Sequence, residues 1–188
     1  EDTRHCLALA QGARSVLDLG CGTGLLAAAL GGSRDVFGVD PARAMLDVAR
    51  RREGGSKVTW VEADARTLQL GRRFDLVVLT GHAFQCFLTN DDQRALCRAI
   101  AAHLAPGGTF IFDSRNPERE EWREWVPETS RRSFDLPPHG RIEAWNDVSH
   151  DPATGIVTYD TVYRNGTYRI RKASSRIRFA SKNDIATR

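Results

Sequence analysis

Val16-Leu17-Asp18-Leu19-Gly20-Cys21-Gly22-Thr23-Gly24 joins a short apolar run to a turn with glycine at every second position, and a helix-forming stretch, Leu25 to Leu30, follows at once. Val16, Leu17 and Leu19 suit a strand buried on both faces of a parallel sheet. Gly20, Gly22 and Gly24 carry no β-carbon, so the backbone can turn sharply and come close to a ligand. The free N–H groups that open the following helix would face whatever lies above the turn. This pattern reads as a binding loop for a nucleotide-type ligand.

The spacing separates two kinds of ligand. A dinucleotide fingerprint, G-x-G-x-x-G, would require its third glycine where Leu25 stands. The order here is Asp18-x-Gly20-x-Gly22-x-Gly24, and with its leading acid it closely resembles the first motif of the class I S-adenosylmethionine (SAM)-dependent methyltransferases.

Working outward, Thr3 to Gln11 reads as a helix stopped by Gly12, and Asp35 to Asp40 as a second strand after the Gly31-Gly32 break. Strand, helix and strand in this order imply a right-handed parallel unit. Asp40 ends the second strand, where an acid can accept hydrogen bonds from both ribose hydroxyls. Pro41 suits the first position of a helix, so Asp40 can also serve as its N-cap. In that helix, Ala42 to about Arg52, the residues Ala44, Met45, Val48 and Ala49 share a face. Met45 is expected in the core, with its thioether as a further candidate contact for adenine.

A third strand, Lys57 to Val61, leads to Glu62-Ala63-Asp64-Ala65. In the class I methyltransferases an acid just past this strand meets the adenine amino group and the next backbone N–H meets a ring nitrogen. The resemblance therefore implies those roles for Asp64 and Ala65; a turn or cap aspartate is the other reading. It likewise implies that Asp18 meets the methionine ammonium, with Gly20, Cys21, Gly22, Gly24, Pro41, Met45 and Thr80 completing the cofactor site.

Phe74 to Leu79 is a fourth, central strand that opens onto Thr80-Gly81-His82-Ala83-Phe84-Gln85-Cys86-Phe87. Open parallel sheets bind ligands beyond the carboxyl ends of their strands, so this loop should border the reacting methyl group. Histidine is the residue type suited to taking a proton from a substrate near neutral pH, which makes His82 the candidate base; a histidine that only hydrogen-bonds substrate or backbone is the alternative. Phe84 is a candidate pocket wall and Gln85 an orienting or capping side chain. A catechol-type magnesium site would need a carboxylate ending this strand, and Thr80 stands there, so no metal is expected.

Thr89 to Asp92 caps a helix from Gln93 to Leu104, striped with Leu96, Cys97, Ile100 and Leu104, which Pro106-Gly107-Gly108 ends. Thr109 to Asp113 is the fifth strand, and the resemblance stays in register from about residue 14 to 116. Arg115 and Asn116 follow; an arginine fork there suits an acidic or polar part of a substrate, or fixes the loop backbone.

Beyond Pro117 the composition changes. Glu118 to Trp125 places Trp122 and Trp125 on one helical face, 126–140 holds three prolines and reads as loop, and three β-rich runs follow: Ile142 to His150, Ile156 to Arg164 and Thr167 to Phe179. Asn165-Gly166 is a hairpin signal. Residues 1–114 carry 13 basic and 13 acidic side chains, whereas 115–188 carry 14 and 11. The late cations (Arg164, Arg169, Arg171, Lys172, Arg176, Arg178, Lys182) alternate with Tyr168, Ile170, Ile177 and Phe179, as on a solvated strand face. An acidic substrate or RNA would also suit them, although no nucleic-acid motif is present.

The reading is therefore α/β: a doubly wound, mostly parallel Rossmann-like sheet over residues 1–116, an inserted antiparallel β cap over 117–180, and the start of a further core helix over 181–188, with the C-terminus expected to be truncated. A chain of 188 residues buries about 70% of its unfolded surface as one elaborated domain. Four cysteines without C-x-x-C pairing suggest reduced thiols, and short interrupted apolar runs exclude a spanning helix. The expected protein is a cytoplasmic methyltransferase that uses SAM to methylate a small-molecule N, O or C nucleophile, without membrane or nucleic-acid partners. The alternatives are a non-catalytic SAM-binding domain and an NAD-type oxidoreductase.

Overall fold

The computed structural model describes residues 2–166 and 169–187. Its chain divides into two compact units: one takes the chain through Phe84 together with Thr89–Asp113, the other Gln85–Leu88 with Ser114–Thr187. The boundary thus falls three residues before the one expected, four residues of the strand-four loop join the second unit, and so does the last helix.

In the first unit, α1 (Asp2–Leu9) precedes β1 (Ser15–Leu19), α2 (Leu25–Leu30), β2 (Asp35–Asp40), α3 (Arg43–Arg51), β3 (Val58–Glu62), β4 (Phe74–Leu79), α4 (Asn90–His103) and β5 (Leu104–Phe112). The five strands form one parallel sheet in the order β3-β2-β1-β4-β5. The chain starts in the middle, walks to one edge, returns and walks to the other, so the carboxyl ends of β1 and β4 diverge and leave a crevice between their loops. This is the expected methyltransferase sheet. On one face Val16, Val36, Val58, Leu76 and Val78 pack with Cys6, Ala10, Leu26, Ala27 and Leu30 of the α1 and α2 region. Alternate strand residues face the other way, where α4 packs against β4 and β5.

Helix α3 corrects one expectation. Met45 is 46% exposed and Val48 41%, while Leu46 and Ala49 are buried. The helix begins at Arg43 with Ala42 as its N-cap, so Pro41 is not at the first helical position and Asp40 is not the cap. A nine-residue helix resting on β2 and β3 needs only a narrow buried strip, and two side chains three apart supply it. Helix α4 begins at Asn90, three residues earlier than expected, because Thr89 Oγ1 accepts from Asp92 N at 3.0 Å and caps it. Its buried strip is Gln93, Leu96, Ile100 and His103; Leu104 already belongs to β5.

In the second unit, α5 (Pro127–Ser130) and β6 (Arg132–Leu136) occupy the region read as loop, followed by β7 (Gly140–Asp151), β8 (Ile156–Asn165), β9 (Arg169–Arg178) and α6 (Lys182–Ala186). The strands form an antiparallel sheet in the order β6-β7-β8-β9. The expected antiparallel sheet after strand five is present, with one more edge strand than expected. Thr167 and Tyr168 lie outside the described residues. Pro117–Arg119 and Glu121–Glu124 are separate 3-10 turns, not one helix; Glu120 between them has φ 45°. Trp122 and Trp125 still share a side, because residues three apart eclipse in a 3-10 turn. They pack with Val157, Ile177 and Phe179 into this unit's core. Arg164 pairs with Glu143 and Lys172 with Asp160, so neighbouring strands neutralise part of the basic run.

Candidate functional site

At the carboxyl ends of β1 and β4 lies a cavity of about 260 Å³ lined by Asp18, Gly20, Cys21, Thr23, Leu25 and Thr80 among others. Four of the expected cofactor residues, Asp18, Gly20, Cys21 and Thr80, therefore meet around one space.

The three glycines of the loop all have positive φ, 65°, 53° and 74°, but they serve different ends. A β-carbon on Gly24 would sit 2.4 Å from the Trp60 ring and 2.8 Å from Ala49 Cβ. One on Gly20 would meet Ala83 Cβ at 3.1 Å, and one on Gly22 would meet nothing within 4 Å. Gly24 is thus small because Trp60 packs beneath it, whereas Gly22 faces open space and can admit a ligand. Trp60 lies equally close to Gly38 of β2, and its Nε1 donates to Gly55 O at 2.8 Å. Arg52 ties the loop down by donating to Thr23 O at 2.9 Å and to Thr23 Oγ1 at 3.1 Å. Periodicity in the sequence does not reveal Trp60 or Arg52; only the two glycines facing one tryptophan disclose their part.

Asp18 is 2% exposed. Burial pushes its carboxyl up to about 7; a hydrogen bond from the Ala27 backbone opposes the shift and the Asp40 charge adds to it. Burial also pushes the Cys21 thiol up, with Asp18 and Asp40 adding to the effect, so Cys21 is a neutral wall and not a nucleophile. Asp40 is buried and spends one lone pair on each side: Oδ2 accepts from Gly22 N at 2.9 Å and Oδ1 from Ala42 N at 2.8 Å. This carboxylate couples the end of β2 to the glycine turn.

Other expected residues stand elsewhere. Asp64 gives both oxygens to Arg66, with Oδ2 2.5 Å from Nη2, and Arg66 reaches on to Asp92 Oδ1 at 2.6 Å. The guanidinium holds both carboxyls below their usual range. Ala65 is buried and Pro41 is exposed. Phe84, expected as a pocket wall, is 2% exposed and packs its ring against Phe112 with centroids 5.0 Å apart. Arg115 donates to Gln85 Oε1 at 3.1 Å, lies 3.3 Å from Glu121 and stacks over Trp125. Asn116 Oδ1 accepts from Glu118 N at 3.1 Å and caps the first 3-10 turn. His82 lies beside Asp113, a residue to which the sequence reading assigned no role. Its position at the end of β5, next to the end of β4, was the available signal. Among the described residues no group of three or more His, Cys, Asp or Glu is placed to hold a metal ion, and no helix is long and apolar enough to cross a membrane.

Comparison with known proteins agrees with this geometry. A family model described as a methyltransferase domain matches residues 16–108. A cypemycin N-terminal methyltransferase from Streptomyces sp is 40% identical over 106 residues, covering 55% of this chain and 43% of that protein. A dTDP-4-amino-2,3,4,6-tetradeoxy-D-glucose N,N-dimethyltransferase from Saccharopolyspora spinosa is 33% identical over 117 residues, covering 62% and 43%. Among solved structures, the CcbJ methyltransferase from Streptomyces caelestis superposes with a TM-score of 0.77 at 27% identity, covering 97% of this chain and 79% of that one. The chain spans less than half the length of the first two of these relatives. With the sheet order, the acid-led glycine turn and the matched span all in agreement, the chain belongs to the class I SAM-dependent methyltransferases.

Proposed function

We propose that the whole protein moves a methyl group from SAM to a nitrogen, oxygen or carbon nucleophile of a small molecule, and that an amine is the favoured acceptor. The single observation that carries the reading is the cavity walled by Asp18 and the glycine turn. A buried carboxylate held partly protonated is costly to keep, and a cationic ammonium is the partner that would repay it. The amine preference is supported by relatives whose names specify N-terminal and amino-sugar methylation. Cys6, Cys21, Cys86 and Cys97 show no C-x-x-C pairing, a usage that suits a reducing compartment, and we place the protein in the cytoplasm.

SAM supplies an electrophilic methyl on a positive sulfonium. Asp18 receives the methionine ammonium, Gly22 lets the backbone approach, and Asp40 accepts from the ribose hydroxyls while keeping the turn closed. Ala65 offers a backbone N–H to adenine, and Asp64 can reach the adenine amine only by sharing oxygens with Arg66. Met45, exposed just past the end of β2, offers its thioether to the same base, with Pro41 beside it. His82 would take the proton that the acceptor nucleophile loses on methylation. Phe84 bears on the substrate only through the loop it anchors.

Titration of the full-length protein with SAM and NAD, followed by an S-adenosylhomocysteine assay over a panel of amines, alcohols and carbon acids, tests the reading. Micromolar SAM affinity with turnover on amines is expected. Binding of NAD in place of SAM, or SAM binding without turnover on any acceptor, would overturn it. Asp40→Ala is expected to weaken SAM binding by about 1–3 kcal/mol, the scale of lost charged hydrogen bonds. An unchanged dissociation constant would remove Asp40 from the ribose site.

A further inference from the structure

Strands β4 and β5 are parallel neighbours with Leu79 opposite Phe112, so the residues that follow them emerge side by side. Asp113 follows β5 directly and His82 comes three residues after β4. His82 has φ 62°, next to Gly81 at 70°, so a residue with a β-carbon occupies the left-handed region. What holds it there is the Asp113 carboxylate: Oδ2 accepts from His82 N at 2.8 Å and lies 2.5 Å from Nδ1 of the same residue. The Nδ1 contact falls outside hydrogen-bond angles, yet the atom is buried and no other partner satisfies it among the described residues. A carboxylate oxygen that close favours a proton on Nδ1 over a bare lone pair, through its charge. Asp113 Oδ1 is also buried without a hydrogen-bond partner among the described residues. A turn that needed only one backbone acceptor would be served by an amide, without the cost of a part-desolvated charge.

We propose that Asp113 is the positioning residue of the methyl-transfer site: its carboxylate holds His82 in the left-handed turn and in the tautomer protonated at Nδ1, so that Nε2 is the nitrogen presented to the acceptor. The role of Nε2 rests on the methyl-transfer reading above; the hold on the tautomer does not. A base that accepts its proton at Nε2 must have that lone pair free when the acceptor arrives, and a fixed ring removes the rotation that would otherwise waste encounters.

Asp113→Asn separates this role from a merely structural one. Oδ2 makes both contacts, so the amide oxygen in its place can still accept from His82 N and keep the turn, while the lost charge weakens the hold on Nδ1–H and lets the Nε2–H tautomer appear. Side-chain 15N–1H correlation spectra of the full-length protein at about pH 9, where imidazole is neutral, read the tautomer directly. We expect Nδ1–H in the wild type and an added Nε2–H population in Asp113→Asn, an unchanged His82 backbone amide, a kcat at least tenfold lower and a SAM dissociation constant within twofold. Asp113→Ala should lose both the tautomer and the backbone amide position. A wild type protonated at Nε2, or an Asp113→Asn variant that keeps the wild-type tautomer or the wild-type rate, would overturn the proposal. If the tautomer population shifts as expected but the wild type methylates no acceptor, the hold of Asp113 on His82 stands and the methyl-transfer reading fails.

Discussion

Asp18→Asn is expected to make the protein more stable and to cost it its cofactor. The Asp18 carboxyl is raised from 3.8 to about 7, chiefly by burial. At about 1.4 kcal/mol per pKa unit, the ionised form is worth about 4 kcal/mol less in the fold than in water, and asparagine removes that penalty while keeping an acceptor for the Ala27 N–H. Below about pH 4 the carboxyl is protonated in both states and nothing is lost. Between about pH 4 and pH 7 the unfolded chain releases a proton that the folded chain retains, so wild-type stability falls as pH rises; above about 7 the penalty is complete. Urea unfolding should therefore show the variant ahead by about 1–2 kcal/mol at pH 5 and by about 3–4 kcal/mol at pH 8. An equal gap at both values would mean that the carboxyl is not the source.

Cofactor binding should run the other way. A methionine ammonium needs the ionised carboxylate, so wild-type affinity for SAM should weaken about tenfold per pH unit below about 7. Asp18→Asn should bind some 10- to 100-fold more weakly and without that pH dependence, the scale of one charged hydrogen bond. Calorimetry in buffers of different ionisation enthalpy, near neutral pH, would register the proton released by the wild type. Tight, pH-independent binding by the variant would remove Asp18 from the ammonium site.

Gly24→Ala is expected to cost about 2–5 kcal/mol of stability, whereas Gly22→Ala, two residues away, should cost only about 1–2 kcal/mol and instead lose SAM. Both glycines are left-handed, at 74° and 53°, so each alanine carries the same backbone penalty. The difference is what the new methyl meets: the Trp60 ring at 2.4 Å and Ala49 at 2.8 Å in one case, nothing within 4 Å in the other. Trp60→Phe takes away the ring atoms nearest Gly24, so the double variant should recover part of the loss despite forfeiting the bond to Gly55 O. A double-mutant cycle with no coupling would show that Trp60 does not set the size of Gly24. Equal SAM affinity for Gly22→Ala and the wild type would close the argument for ligand approach at that position.

Much of the fold was legible in the chain because its signals are local. Five strands and the helices of the first unit follow from apolar runs, turn residues and a Thr89 cap, all within a few residues of one another. The region read as loop, 126–140, was misread for a physical reason: β6 is a fully exposed edge strand with no buried face to impose a two-residue period, and prolines flank it. Helix α3 was assigned the wrong face because Ala44, Met45, Val48 and Ala49 form as good a stripe as the one the sheet selects. In the second unit Trp122 and Trp125 share a side in an α-helix and in 3-10 turns alike, so their spacing could not choose between them.

The acid-led glycine turn of residues 18–24 was decidable from order along the chain, since the positions of its glycines and its leading carboxylate are what distinguish one cofactor loop from another. What each glycine is for was not, because their neighbours come from β3, from α3 and from the loop after β4, brought close by parallel pairing across distant sequence. The same holds for Asp18, whose carboxyl is raised by burial that depends on every element packed around it, and for Asp113, which meets His82 only because β4 and β5 lie side by side. Local backbone preference and apolar period are properties of neighbours in the chain; steric room, desolvation and the pairing of charges are properties of neighbours in space.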